Sequence, residues 1–316
     1  MLPKTFANYF SIYNYLCAEP LTPKLMCGRY VIVTQVEEIE VRFYVQTGEL
    51  REYNLTKGGF VNQNYNLGPG MLAPVIGSDR PKEVQLMYFG LTPSWSKKRM
   101  YLFNARTEGD RNAENDPHYS GAKDIITKPS FRNAIRKQRC LVLCNGFIEG
   151  PEKEKLSKPY YVFMRDKRPF ALAGIWEDWA DPETGEVTRG FAIITTVANK
   201  LLQQIGHHRS PVIIAEEHWN IWLNKETPLH DVTQLLEPFD YKLMNAYPID
   251  PKIKSPKATG PQLIKPTGNL VMPETDTVYN DKLKLVGMGR GKRDNREGTQ
   301  MTLQEIMRDP FKKPEK

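Results

Sequence analysis

The sequence predicts an α+β fold in which a mixed, mainly antiparallel β-sheet is flanked by a few helices. Short runs of β-branched and aromatic residues dominate the chain, and Gly and Pro punctuate them. Helical stretches are fewer and do not alternate regularly with strands, which argues against a doubly wound parallel sheet. The 316 residues are 40% hydrophobic and 10% aromatic, a composition typical of a globular protein with a substantial core.

The predicted elements are short and follow one another closely. Each predicted strand is an apolar run that ends near a turn residue, and these runs are residues 30–34, 41–45, 84–89, 140–144, 160–163, 170–175, 191–195 and 211–214. Helices are predicted at residues 130–137, 199–205 and 218–223. Residues 107–128 are polar and show no periodicity, which predicts an excursion over the surface.

Three regions are predicted along the chain. Residues 27–266 form one domain without internal repeats, and residues 1–26 precede it as an N-terminal extension. Residues 267–316 are polar and basic, which predicts a largely flexible tail. Within that tail, a capping-box pattern that begins at Thr302 predicts a short helix.

The net charge of +7 is compatible with a nucleic-acid partner, although a solvated charged surface gives the same composition. The distribution is more informative, because Lys97, Lys98 and Arg99 closely follow Trp95. Aromatic rings beside cations suit single-stranded nucleic acid, in which rings stack on bases and cations meet phosphates. No apolar run approaches the ~18 residues that span a bilayer, so we expect a cytoplasmic protein without membrane association.

The four cysteines do not indicate a metal site. Cys140 and Cys144 lie four residues apart in an apolar run, so on a strand both face the same side, and their spacing lacks the paired ligands of a zinc site. We expect them to be free thiols in a core, as in a reducing compartment. The other two are Cys17 and Cys27.

Cys27 gains special chemistry if the chain is cleaved after Met26. A terminal cysteine carries an amine and a thiol on adjacent carbons, and the amine titrates near pH ~8. With an aldehyde the amine forms an imine, the thiol adds to it, and a five-membered thiazolidine ring closes. An internal cysteine offers only the thiol.

Four segments are too specific for a generic core. They are Cys-Gly-Arg-Tyr at 27–30, Asn-Ala-Arg-Thr-Glu at 104–108, the run at 139–149 that ends in Gly-Phe-Ile-Glu, and His-His-Arg-Ser-Pro-Val at 207–212. Supporting matches are Asn-Leu-Gly-Pro at 66–69, Phe-Gly-Leu-Thr-Pro-Ser-Trp at 89–95 and Trp-Leu at 222–223. In this order the segments resemble the SOS response-associated peptidase family, over roughly residues 27 to 266.

The resemblance implies a function in DNA repair. Members of this family bind single-stranded DNA and trap abasic sites, whose ring-opened sugar exposes an aldehyde. The resemblance makes Cys27 the nucleophile, bared by methionine removal, and implies a thiazolidine crosslink that shields the lesion. It also implies a self-processing peptidase activity and, in a bacterium, association with the nucleoid. We expect a monomer that uses no metal or organic cofactor.

The motifs assign roles to two further catalytic residues. Glu149 ends the Gly-Phe-x-Glu turn and can shuttle protons at the imine. His207 can protonate the sugar ring oxygen or assist reversal of the crosslink. Spacing to Arg209 favours His207 over His208, and on a strand the two histidines point in opposite directions.

The motifs also place Asn104 in the catalytic set, and the remaining site residues are expected to hold the DNA. Asn104 and Arg106 share one face, where Asn104 can position the cysteine amine or a sugar hydroxyl and Arg106 can hold a phosphate. Arg29 is a second phosphate ligand, and Arg209 is included among the DNA-binding residues. Trp95 either stacks on a base beside the lesion or serves the core.

The sequence departs from the family pattern at three positions. Ile148 and Gly150 replace the aromatic pair around the glutamate, which affects local stacking more than proton transfer. Ser210 replaces the usual methionine before Pro211.

Glu108 is expected to pair with a nearby arginine.

Two questions stay open at the level of sequence. Cys27 needs a free amine, so either translation starts at Met26, which we expect, or a leader is removed, or the extension persists and prevents crosslinking. The same residues also suit a cysteine peptidase or amidohydrolase with His207 as base, or a noncovalent DNA-binding module with a structural cysteine.

Overall fold

The structure, a computed structural model, describes residues 28–59 and 61–273 of the chain. The nucleophile predicted at Cys27, the N-terminal extension and the helix predicted from Thr302 lie outside these residues.

The described residues form short strands and helices joined by turns and loops. The strands are β1 (Tyr30–Ile32), β2 (Asn64–Leu67), β3 (Leu72–Gly77), β4 (Val84–Phe89), β5 (Asn104–Arg106), β6 (Arg139–Cys144), β7 (Gly146–Glu149), β8 (Tyr160–Met164), β9 (Phe170–Ala180), β10 (Val187–Val197), β11 (Arg209–Pro211), β12 (Ile213–Ile214) and β13 (Met244–Pro248). The α-helices are α1 (Val36–Phe43), α2 (Gly48–Lys57), α3 (Ala134–Lys137), α4 (Lys200–Ile205), α5 (Trp219–Leu223) and α6 (Leu229–Gln234). No helix in this part of the chain is long and apolar enough to cross a membrane.

The larger sheet closes on itself. Its strands are ordered β11-β10-β4-β3-β6-β9-β12, and because β9 also pairs with β10, the strands β3, β6, β9, β10 and β4 form a closed ring. The pairings of β10 with β4 and β5 are parallel, whereas its pairings with β9 and β11 are antiparallel. A mainly antiparallel sheet with a few short helices confirms the predicted α+β fold.

The second sheet carries the N-terminal strand of the domain. Its order is β13-β8-β7-β1-β2, and every pairing in it is antiparallel. Tyr30 lies opposite Phe147, and the Ile148 amide donates to the Arg29 carbonyl at 2.9 Å. The chain that enters β1 therefore runs alongside the end of β7.

Asn145 joins the two sheets where β6 passes into β7. Its side-chain oxygen accepts hydrogen bonds from the Val33 amide at 2.7 Å and from the Thr34 hydroxyl at 2.9 Å. The core fills the space between the sheets, where the rings of Tyr30 and Phe89 meet edge to face with centroids 5.8 Å apart.

The strand predicted at residues 41–45 is wrong, because Val36–Phe43 forms α1. Ile39 and Phe43 are buried, whereas Val41 between them is 76% exposed. Buried side chains four residues apart are typical of an amphipathic helix, and this spacing overrides the local strand preference of the valine.

The other predicted elements are present, and all except the strand at residues 84–89 have different ends. The helix predicted at 130–137 is confined to α3, because the preceding residues form turns. The strand predicted at 211–214 divides at Val212, whose amide donates to Ile194 at 2.9 Å and whose carbonyl accepts from Ala173 at 2.8 Å. Val212 thus passes the chain from one neighbour, β10, to the other, β9.

The folded part of the chain extends past the boundary predicted at residue 266. The Val271 amide donates to the Ala246 carbonyl at 2.8 Å. The side chain of Asn245 donates to the Met272 carbonyl at 2.8 Å and accepts from its amide at 3.1 Å. These bonds attach the segment after residue 266 to the edge strand β13.

Arg139 is buried and holds the ends of two helices. Its guanidinium donates to the Ile135 carbonyl at 2.9 Å and the Arg136 carbonyl at the end of α3. It also donates to the backbone carbonyls of Trp222 at 2.6 Å and Asn224 at 2.5 Å, at the end of α5. Burial lowers the pKa of Arg139 to about 10. The partial negative charge of the helix ends compensates the cation.

We expect Arg139→Met to lower the free energy of unfolding by about 3 kcal/mol or more, because buried carbonyls lose their donors. Urea denaturation measures this difference. The control is Arg168→Met, since Arg168 is exposed and pairs with Asp166 at the surface. Its effect is expected to stay within about 0.5 kcal/mol. Equal effects of the two substitutions would contradict the role given to Arg139.

Candidate active site

The end of β10 gathers the sequence motifs into one place. Thr195 lies opposite Arg106 of β5 on one side and opposite Pro211 of β11 on the other. His207 precedes β11 and contacts Glu149 at the end of β7. Segments far apart in the sequence therefore meet around one strand end.

Glu149 and His207 form a buried pair at the centre of this site. Their side chains are each 6% exposed, and the His207 Nε2 lies 3.3 Å from the Glu149 Oε2. The His207 Nδ1 lies 2.8 Å from the carbonyl oxygen of Gly150. Gly206 ends α4 in the left-handed conformation, with φ 83°, and so turns the chain to bring His207 to this position.

The Gly150 carbonyl determines which imidazole nitrogen of His207 bears hydrogen. A carbonyl oxygen only accepts, so Nδ1 must donate to it. In the neutral ring, Nε2 then presents a lone pair to Glu149, and this contact is attractive only when a proton lies between the two groups. The contact therefore places an imidazole and a carboxyl together, two groups that can exchange a proton with a bound molecule.

The prediction that His207 and His208 point in opposite directions is wrong. Their rings are stacked, with centroids 5.2 Å apart and planes at 25°. Both residues precede β11 and lie outside its ladder, so strand alternation does not apply to them. The His208 Nδ1 lies 3.3 Å from the Glu152 Oε2, which gives each histidine its own carboxylate.

Asn104 and Arg106 lie on the same face of β5, as predicted. Both are half-buried, with Ala105 fully buried between them. Arg106 donates to the Asn112 carbonyl at 2.5 Å and to the Asn115 side-chain oxygen at 3.1 Å. Burial, and then the positive charge of the neighbouring Arg209, lower the pKa of Arg106.

Arg209 is not positioned to bind DNA, which corrects its predicted role. The side chain is 0% exposed and pairs with Glu108, which is 1% exposed. Two parallel hydrogen bonds of 3.0 and 2.9 Å join the guanidinium to the carboxylate, and a third reaches the Thr195 carbonyl at 2.9 Å. The predicted pairing of Glu108 with an arginine is confirmed.

Arg29 fixes a distant loop beside the start of β1. It donates to the Asn66 side-chain oxygen at 2.7 Å and to the Lys254 carbonyl at 3.2 Å. Asn66 in turn donates to the carbonyls of Ser255 at 2.9 Å and Ala258 at 3.0 Å. Sequence reasoning identified Arg29 but not this loop, because only the fold brings the two together.

Trp95 is 56% exposed, so the alternative that it serves the core is wrong. Its Nε1 donates to the Pro129 carbonyl at 3.3 Å. The adjacent Ser94 amide donates to the Glu177 carboxylate at 2.5 Å. The ring therefore has a defined position and a face open to solvent.

Gly150 contributes more than the sequence indicated. A Cβ atom at this position would lie 1.9 Å from the Lys155 carbonyl oxygen, so only glycine fits the present backbone. The departure from the family pattern was the available signal, although it pointed to stacking. The close approach of Lys155 could be seen only in the structure.

The two buried cysteines and the possible metal ligands are further candidate functional groups. Cys140 and Cys144 are free and buried, as predicted, and burial raises the pKa of both thiols. Among residues 28–59 and 61–273, no group of His, Cys, Asp or Glu is arranged to hold a metal ion.

Glu108 predicts a pH dependence of stability. Burial alone would raise its pKa, but the hydrogen bonds and charge of Arg209 outweigh burial and hold the pKa below its ordinary value. We expect Glu108→Gln to cost about 3–5 kcal/mol at pH 7, because the Arg209 charge stays buried without its partner. A carboxyl with a depressed pKa stabilises the fold above its unfolded pKa of about 4.3, and this contribution is lost as the pH falls.

The free energy of unfolding in urea, measured from pH 7 to below pH 4, tests this prediction. The gap between wild type and Glu108→Gln should narrow as the wild-type carboxylate becomes protonated. A gap that stays constant with pH would contradict an ionised Glu108 in the fold.

Comparison with known proteins places the chain in a family. The family model of the SOS response associated peptidase (SRAP) matches residues 26–256. The chain is 29% identical over 246 residues to abasic site processing protein YoqW of Bacillus subtilis, covering 76% of this chain and 99% of that protein. It is 24% identical over 298 residues to abasic site processing protein HMCES of Gallus gallus, covering 82% and 83%.

A solved structure agrees with this assignment. A protein from Bacteroides thetaiotaomicron superposes with a TM-score of 0.65 at 29% identity, covering 77% of this chain and all of that protein's chain. With a family match over most of the chain, this protein belongs to the SOS response associated peptidase (SRAP) family.

Proposed function

We propose that this protein processes abasic sites in single-stranded DNA by forming a covalent crosslink through Cys27. The names of its relatives, abasic site processing proteins, support the substrate. The observation that supports the mechanism is the buried contact of Glu149 with His207 at the end of β7. An aldehyde that condenses with an amine needs such a proton donor when water leaves.

The register of β1 against β7 supports Cys27 as the nucleophile. Tyr30 lies opposite Phe147 and Val31 opposite Gly146, so continuation of the ladder puts Gly28 opposite Glu149. Cys27 is the next residue along the chain. We therefore propose that the amine and thiol of Cys27 act beside Glu149 in the active form.

The proposed reaction is a condensation that releases one water molecule. The amine nitrogen of Cys27 adds to the C1′ aldehyde carbon and gives a carbinolamine. The Glu149–His207 pair gives its proton to the hydroxyl, water leaves, and an iminium forms. The thiol then returns a proton to the pair while its sulfur adds to the iminium carbon, which closes the thiazolidine ring.

The proposed DNA contacts follow from which side chains have exposed surface. Trp95 offers an exposed ring on which a base can stack. Arg29 and the partly exposed Arg106 provide cations for phosphates. Asn104 lies on the same face as Arg106 and can orient the sugar or the cysteine amine. Arg209 does not contact DNA in this proposal, and its buried pair with Glu108 holds the chain that follows β5.

The active form is proposed to begin at Cys27. A residue that precedes Cys27 converts its amine to an amide, which cannot form the imine. Initiation at Met26 with methionine removal, or proteolytic release of residues 1–26, both give this terminus. The peptidase in the family's description is compatible with the second route.

The function is tested with protein that begins at Cys27 and a single-stranded oligonucleotide that contains one abasic site. We expect an adduct that survives denaturation, and none with Cys27→Ala or with protein that keeps residue 26 and the preceding residues. An adduct of equal yield with Cys27→Ala would overturn the proposal. Cleavage of a supplied peptide without DNA, at the expense of the adduct, would favour the peptidase alternative.

We expect Glu149→Gln to slow crosslinking by about 100-fold or more, because glutamine cannot exchange the proton. Affinity for undamaged DNA should stay unchanged, since Glu149 is buried. Glu152→Gln is the matched control, because Glu152 pairs with His208 and not with His207. Single-turnover rates and binding isotherms check both. Equal slowing in the two variants would contradict the assigned proton transfer.

A further inference from the structure

Two lysine-bearing segments meet beside the candidate site. We define the lysine rim as Lys153, Lys155, Lys252, Lys254 and Lys257, all of which are exposed. The first two lie in the turn that follows β7, and the other three lie in the loop that follows β13. Neither segment was assigned a function from the sequence.

The first segment is fixed against the site by Gly150. Directly after Glu149 the chain turns, and the Lys155 amide donates to the Pro151 carbonyl at 2.6 Å. The Lys155 carbonyl then lies where a Cβ of residue 150 would be. This replacement of the family's aromatic residue allows the lysine-bearing turn to lie next to Glu149.

The second segment is fixed against the first and against the start of β1. The turn Pro251–Lys254 packs on the turn Lys155–Ser157, with Ile253 buried and Leu156 packed in the same apolar cluster. Arg29 holds the same loop through the Lys254 carbonyl. The rim is therefore a defined surface that is continuous with the residues leading to Cys27.

The positive charge of this surface is only partly neutralised by neighbouring carboxylates. Residues 151–158 and 250–257 contain six lysines and three carboxylates. Glu152 contacts His208 at 3.3 Å and Glu154 pairs with Lys158 at 3.0 Å, whereas Asp250 pairs with Lys252 of the rim at 3.7 Å. No ion pair joins Lys153, Lys155, Lys254 or Lys257 to another described residue. Clustered unpaired cations suit a polyanion.

We propose that the lysine rim binds the phosphate backbone of the single strand where it continues away from the abasic site. This inference rests on the proposed function for the identity of the polyanion. Lysine meets phosphate as a flexible point charge, so the rim provides affinity without sequence preference. It acts on the flanking strand and takes no part in the covalent step.

The test is the salt dependence of binding to undamaged single-stranded DNA. In the triple variant Lys155→Gln, Lys254→Gln and Lys257→Gln, loss of three phosphate contacts should reduce the slope of log Kd against log[KCl] by about 2. Crosslinking at saturating abasic DNA should keep the wild-type rate. Replacing the same lysines by arginine should restore the slope and shows that the glutamine variant fails through charge.

The matched control replaces exposed lysines on other elements, Lys57, Lys82 and Lys225, by glutamine. It makes the same change in net charge and should leave the slope near the wild-type value. Equal slopes of log Kd against log[KCl] in the rim and control variants would overturn the proposed role of the rim, even when the crosslink forms. A reduced slope without any crosslink would support the rim and reject the proposed function instead.

Discussion

The buried ion pair between Glu108 and Arg209 is the interaction on which the site geometry depends. Glu108 follows β5 and Arg209 begins β11, so the pair ties together the two strands that flank Thr195. Two ions taken out of water are costly to bury unless hydrogen bonds replace the water. The Arg209 guanidinium donates two parallel bonds to the carboxylate and one to the Thr195 carbonyl, whereas its Nε has no partner among the described residues. The same pair therefore fixes Arg106 on one side and His207 on the other.

Gly150 is the second constraint, and it acts through its backbone. Its carbonyl requires Nδ1 of His207 to donate, and Nε2 then lies 3.3 Å from the Glu149 carboxylate. Because glycine has no Cβ, the Lys155 carbonyl oxygen can lie against the backbone of residue 150. The backbone carbonyl would be present with any residue at this position, so the departure from the family pattern itself accounts only for the close approach of Lys155.

Much of the fold follows from the sequence, because buried strands such as Val84–Phe89 are continuous apolar runs bounded by turns. Helix α1 was missed since its valines favour a strand locally, and only packing against the sheets selects its helical spacing. The site was predicted as a set of residues. Its geometry was not, because the contact of Arg209 with Glu108 joins residues 101 apart in the chain, and such a meeting depends on the whole topology.

The central claim is that the lesion aldehyde is held by both the amine and the thiol of a terminal Cys27. Mass spectrometry of the proteolysed adduct tests it most directly. The account predicts that the nucleotide mass lies on the peptide that begins at Cys27, without prior borohydride treatment, because a closed thiazolidine needs no reduction to persist. A nucleotide found on a lysine peptide, or an adduct that appears only after borohydride traps an imine, would contradict it.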